Sequence, residues 1–105
     1  MSYDKLAVGA VIKLNNVDDE KFLVAGKVPL VEQNDMQVYF DYQLFILPNG
    51  AAADRVFFAN SDDISEVLYA GFVDEESKAF QEGVSEWIAD TDIPKGKTKK
   101  NKELK

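Results

Sequence analysis

Few side chains in this chain are able to do chemistry, and what is missing decides more than what is present. The 105 residues include no cysteine and no histidine. Disulfides, thiolate nucleophiles and zinc–thiolate sites are therefore excluded, and the commonest metal ligand and the commonest general base near neutral pH are gone as well. Carboxylates, hydroxyls, lysines and tyrosines remain. Asp62 and Asp63, with Asn60, could hold a cation, but their spacing lacks the ligand number and the glycine of a calcium loop. The simpler reading is a capped helical turn, with Asn60 or Ser61 at its start and two acids at the positive end of its dipole. Asp74-Glu75-Glu76 reads in the same way, as a cap and first turn, and Asp18-Asp19-Glu20 sits where a turn would place solvated charge. No glycine-rich phosphate loop, nucleophile elbow or serine–lysine motif occurs. The expectation is a protein that is not an enzyme, with no catalytic residue, no cofactor and no metal.

Aromatic side chains are the other candidates. Tyr39, Phe40, Tyr42, Phe45, Phe57, Phe58, Tyr69 and Phe72 crowd the middle of the chain on both faces of its predicted strands. Alternating aromatics on strands are mostly core. Those left uncovered would form a patch for another protein, and Tyr39, Tyr42, Tyr69 and Phe72 are the partner-binding residues this reading singles out. An oligonucleotide-binding barrel surrounds such aromatics with Lys and Arg, whereas these strands carry many acids.

Charge divides the chain. Residues 1–93 hold 6 basic and 18 acidic groups, a net −12, whereas Pro94–Lys105 holds six lysines and one glutamate, a net +5. A domain this acidic repels a phosphate backbone, so nucleic acid is not expected as a partner of the fold. The tail reads as a disordered, solubilising end, or as a salt-sensitive contact to an anionic surface. No run approaches the roughly 20 apolar residues that cross a bilayer, so no membrane is expected. Met1–Lys5 has no signal-peptide pattern, which makes the cytoplasm the expected location, with Sec-independent export open.

These residues must be positioned by a small α+β domain spanning 1–93. The chain is 46% hydrophobic and 30% charged, which is ordinary for a globular protein. Leu6–Leu14 reads as a strand with Val8, Ala10, Ile12 and Leu14 on one face and a bulge at Gly9. Asn15–Glu20 is the turn, and Lys21–Val28 returns, ending near Pro29. After a loop at Glu32–Asp35, Met36–Leu47 forms a long, bent third strand. Pro48-Asn49-Gly50 is a turn, Arg55–Ala59 the fourth strand and Glu66–Phe72 the fifth. Asp74 caps a helix whose Phe80, Val84, Trp87 and Ile88 make one apolar stripe, ending before Pro94. The architecture is a curled antiparallel sheet of about five strands, in the manner of a partly closed SH3-like barrel. A short helical turn precedes the last strand and one C-terminal amphipathic helix follows.

The order of these pieces resembles a known family. Leu6-Ala-Val-Gly9, Val11 and Leu14 are followed by Lys21-Phe-Leu-Val-Ala-Gly26, then Tyr42, Pro48 and Gly50. Phe57-Phe-Ala-Asn-Ser-Asp-Asp-Ile64, Val67 and Gly71-Phe-Val-Asp-Glu-Glu76 complete the pattern. It is similar to the small proteins of unknown function encoded beside type VII secretion genes and LXG-type toxins in Gram-positive bacteria. The likeness covers about residues 5–89. It departs at Ala7, where the family often has proline, and at Ala59, which separates Phe58 from Asn60. The resemblance implies a non-enzymatic, protein-binding accessory role, as chaperone or targeting factor for a secreted toxin. The partner would be that toxin or a second accessory protein. An immunity protein that neutralises a toxin's catalytic domain is the alternative, and an acidic domain suits a basic nuclease. The resemblance carries no catalytic residues, and the oligomeric state stays open.

Overall fold

The computed structural model describes residues 5–97. The chain forms β1 (Val11–Leu14), β2 (Val17–Lys27), β3 (Leu30–Gln33), β4 (Met36–Tyr39), β5 (Tyr42–Leu47) and β6 (Val56–Ala59). A 3-10 turn at Ser61–Asp63, β7 (Ile64–Tyr69) and α1 (Glu75–Asp90) complete it. Five strands make an antiparallel sheet in the order β6-β5-β2-β1-β7, and β3 pairs with β4 in a separate hairpin. This is the expected α+β architecture, with the short turn before the last strand and the helix at the end.

The alternation in β1 and β2 sets the inner face. Ile12, Leu14, Phe22 and Val24 are buried, and Val11 pairs with Leu23 across the ladder. Two-residue turns set the register. Asn16 (φ 67) closes β1–β2, and Asn34 and Asp35 (φ 55 and 63) close β3–β4, the positive-φ geometry that Asn and Asp tolerate best. The core comprises Ala10, Ile12, Leu14, Phe22, Val24, Tyr42, Leu44, Phe57, Ala59 and Ile64. No residue of α1 belongs to this cluster, so the sheet curls over its own apolar face rather than relying on the helix.

Four segments differ from the sequence reading. Met36–Leu47 is not one strand, because the chain breaks at Phe40-Asp41 and its halves join different sheets. Glu32 and Gln33 lie in β3 rather than in a loop, and β2 starts at Val17, which places Asp18–Glu20 along a strand. Pro94–Lys97 is bound rather than mobile. Tyr39 N–H donates to the Pro94 carbonyl (3.0 Å), Gly96 N–H donates to the Tyr39 carbonyl (2.7 Å), and Lys95 forms a parallel bridge with Tyr39. The Gln33 side chain holds Lys97 by both its amide and its carbonyl. The remainder of the lysine tail lies outside the described residues.

Helix α1 begins as its sequence dictates. Asp74 Oδ1 accepts from Ser77 N–H (2.9 Å), and Ser77 Oγ accepts from Asp74 N–H (2.8 Å). Asp74→Ala is expected to lower stability by about 1 kcal/mol, read as a lower urea midpoint at unchanged slope. The helix is lightly seated, since Val84 is its one buried residue. Trp87 stands edge-on to Tyr39 with ring centroids 5.4 Å apart, and the Lys27 amine donates to Gln81 Oε1.

Candidate functional site

The four aromatic residues singled out from the sequence part company. Tyr39 and Tyr42 are core residues, 6% and 1% exposed, and offer a partner no surface. The Tyr42 hydroxyl instead accepts Leu6 N–H at 3.0 Å. Tyr69 and Phe72 are 61% and 72% exposed. The physical reason is that both sides of the Tyr39–Tyr42 stretch are covered, one by the sheet and one by Trp87 and the C-terminal segment.

The capped turn at Asn60–Asp63 is present; Asp62 is exposed, while Asn60, Ser61 and Asp63 bond to the rest of the fold. Asp63 Oδ2 accepts Asn60 N–H (2.8 Å), and Asn60 Oδ1 accepts Asp41 N–H (3.1 Å). Asn60 Nδ2 donates to the Gly96 carbonyl (2.9 Å). The buried carboxylate of Asp41 accepts Ser61 N–H (2.8 Å) and the Lys95 ammonium (3.2 Å) through Oδ2. These bonds pin three distant stretches together, which is structural work. Among the described residues no cluster of three or more acids is placed to hold a metal ion.

Several exposed apolar side chains lie elsewhere. Val8, Leu30, Phe72, Val73 and Phe80 all stand out from the surface. Two hollows run along α1. One, of about 550 Å³, is lined by Lys27, Val28, Leu30, Ala79, Phe80, Gly83, Val84 and Trp87. The other, of about 470 Å³, is lined by Ala7, Val8, Lys27, Phe72, Asp74, Glu76, Ser77 and Phe80. Lys27 and Phe80 belong to both, so Phe80 forms the ridge between them. Met36, Leu68 and Tyr69 are exposed but line neither hollow. Burial holds the Lys27 ammonium below the usual lysine range, and its nitrogen lies 6.0 Å from the Phe80 ring centroid.

Backbone geometry fixes both ends of this surface. Gly71 adopts φ +88, and a Cβ there would lie 3.0 Å from Ala10 N and 3.2 Å from the Val8 carbonyl, so the loop presenting Phe72 presses on the backbone before β1. Val28 holds φ 55, a strained value for a β-branched residue, with its N–H donating to the Asp41 carbonyl (3.1 Å). A family model for a domain of unknown function, DUF4176, matches residues 5–80. The chain belongs to the DUF4176 family. No curated protein and no solved structure matches it.

The DUF4176 match includes Lys27, Leu30, Phe72 and Phe80, while Trp87 and the Pro94–Lys97 segment lie beyond it. Leu30 and Lys27 were not singled out from the sequence, because their role depends on where α1 lies. Phe80 had a visible signal, its i, i+4 spacing to Val84, but that signal reads as core. It is 56% exposed, because α1 buries Val84 and rests Trp87 on Tyr39 instead.

Proposed function

We propose that this DUF4176 protein is a non-enzymatic accessory factor that binds a type VII-secreted LXG-type toxin, as chaperone or targeting factor, in the cytoplasm. The observation that carries the binding reading is the exposed apolar surface of Val8, Leu30, Phe72 and Phe80 along the two hollows of a strongly acidic domain. Contiguous apolar surface rimmed by charge is what a small domain keeps for a protein partner. The link to LXG toxins rests on the sequence pattern from Leu6 to Glu76. No helix among the described residues is long and apolar enough to cross a membrane.

The net −12 of residues 1–93 favours a second reading, immunity against a basic nuclease domain. Co-expression with separate N-terminal and toxic-domain fragments of an LXG toxin from the source organism discriminates between them. Co-purification of the N-terminal fragment is the expected result. Capture of the toxic domain alone replaces targeting with immunity, and capture of neither removes both.

A further inference from the structure

We infer that the two hollows along α1 form one docking groove for an amphipathic helix of a partner protein, apolar on the facing side and flanked by Lys or Arg. This rests on the protein-binding reading above and names what is bound. The groove floor is apolar, and its side wall is low. A Cβ added at Gly83 would meet nothing within 4 Å, so open space lies directly above that turn. From Glu76 to Trp87 the helix advances roughly 16 Å, or three turns, which matches partner anchors at i, i+4, i+7 and i+11.

Two features select the occupant. Backbone is the first: Val28 N–H binds the Asp41 carbonyl, Phe40 N–H binds the Pro29 carbonyl, and α1 satisfies its own groups between its caps. An occupant lying along α1 finds no open row of donors and acceptors on that helix, so it must satisfy its own backbone there, as a helix does. Charge is the second. Asp74 and Glu76 line one hollow, and exposed Glu75, Glu82, Glu86 and Asp90 follow the outer shoulder of α1, against a single Lys78. A cationic flank is complementary to this rim, whereas a second copy of the same surface repels itself. Lys27 is one cation against these six carboxylates and does not reverse that sign.

The test uses the full chain and its single tryptophan, Trp87, which lines the groove. The probes are Trp-free helical peptides of about 18 residues with leucines at the four anchor positions, flanked either by lysines or by glutamates. The lysine-flanked peptide is expected to shift Trp87 emission saturably. The affinity should fall by about tenfold or more for the glutamate-flanked twin, for Phe80→Asp and for Leu30→Asp. Met36→Ser, at an exposed residue that lines neither hollow, should leave it unchanged. Circular dichroism checks that the variants are folded. Absent binding, equal binding of both peptides, or indifference to both Asp variants overturns the groove. Self-association that Phe80→Asp abolishes overturns it in favour of a second copy. If Phe80→Asp still retains a toxin fragment, the groove fails and the accessory reading stands. If the peptides behave as expected while no toxin fragment is captured, the reverse holds.

Discussion

Asp41→Ala should destabilise the domain by about 2–4 kcal/mol and release the Pro94–Lys97 segment from β4. Asp41 is the one buried charged residue among those described, and its Oδ2 accepts both Ser61 N–H and the Lys95 ammonium. Removing the carboxylate leaves the Ser61 amide without its acceptor and removes the counter-charge of Lys95. Most of the loss belongs to the Ser61 bond, because the Lys95 side chain is 43% exposed and solvent screens its half of the pair. Asp41→Asn keeps an acceptor for Ser61 and should cost less than half as much. Urea unfolding measures the difference. A change in the Gly96 amide resonance, whose donor bond to Tyr39 depends on the seated segment, reports the release independently.

Gly71→Ala should cost a similar amount, about 2–4 kcal/mol, and lower Tm by roughly 10–25 °C. Two effects combine there. The backbone sits at φ +88, which L side chains rarely adopt, and the new Cβ would press on Ala10 N, the Val8 carbonyl and the Ala7 carbonyl at 3.0–3.3 Å. Those are backbone atoms, so they yield little. Gly50 is the natural comparison, since it has φ +78 with nothing within 4 Å of an added Cβ. Gly50→Ala therefore incurs the conformational cost alone. If the two variants lose equal stability, close approach at Gly71 contributes nothing.

How much of this was legible in the sequence varies with how local the cause is. Asn60 and Asp74 as caps and the alternation of Ile12, Leu14, Phe22 and Val24 are local matters of backbone preference and period, and each appears in the structure. Gly9, by contrast, sits in a turn before β1 rather than in a bulge within it. The break at Phe40-Asp41 was hidden because Val38 through Tyr42 are all buried, so neither face of the strand pattern looks interrupted. Its available signal was an aspartate within an apolar run. The strand at Leu30–Gln33 was obscured by the polar Glu32–Asp35, which suits an exposed hairpin as well as it suits a loop.

The candidate surface was the least legible part. Aromatic type alone cannot separate Tyr42, enclosed by the curled sheet, from Phe72, held out on a glycine-bent loop. Phe80 has core spacing within α1, and its exposure follows from a helix that buries Val84 and rests Trp87 on Tyr39. Exposure is decided by the placement of whole elements, which no window of sequence contains.

The seating of Pro94–Lys97 on Tyr39 also bears on solubility. Strand β4 pairs with β3 on one side, and on its other side the Tyr39 amide donates to the Pro94 carbonyl and the Tyr39 carbonyl accepts from the Gly96 amide. A chain ending at residue 93 would leave that margin of the hairpin unsatisfied, beside the newly uncovered Phe40 and Val38 against which Gly96 now packs. Unpaired strand margins next to apolar side chains recruit other chains. The truncated form is therefore expected to precipitate at concentrations where the full chain stays dispersed, as followed by light scattering. The lysine-rich end would then act as a guard against aggregation through its first four residues.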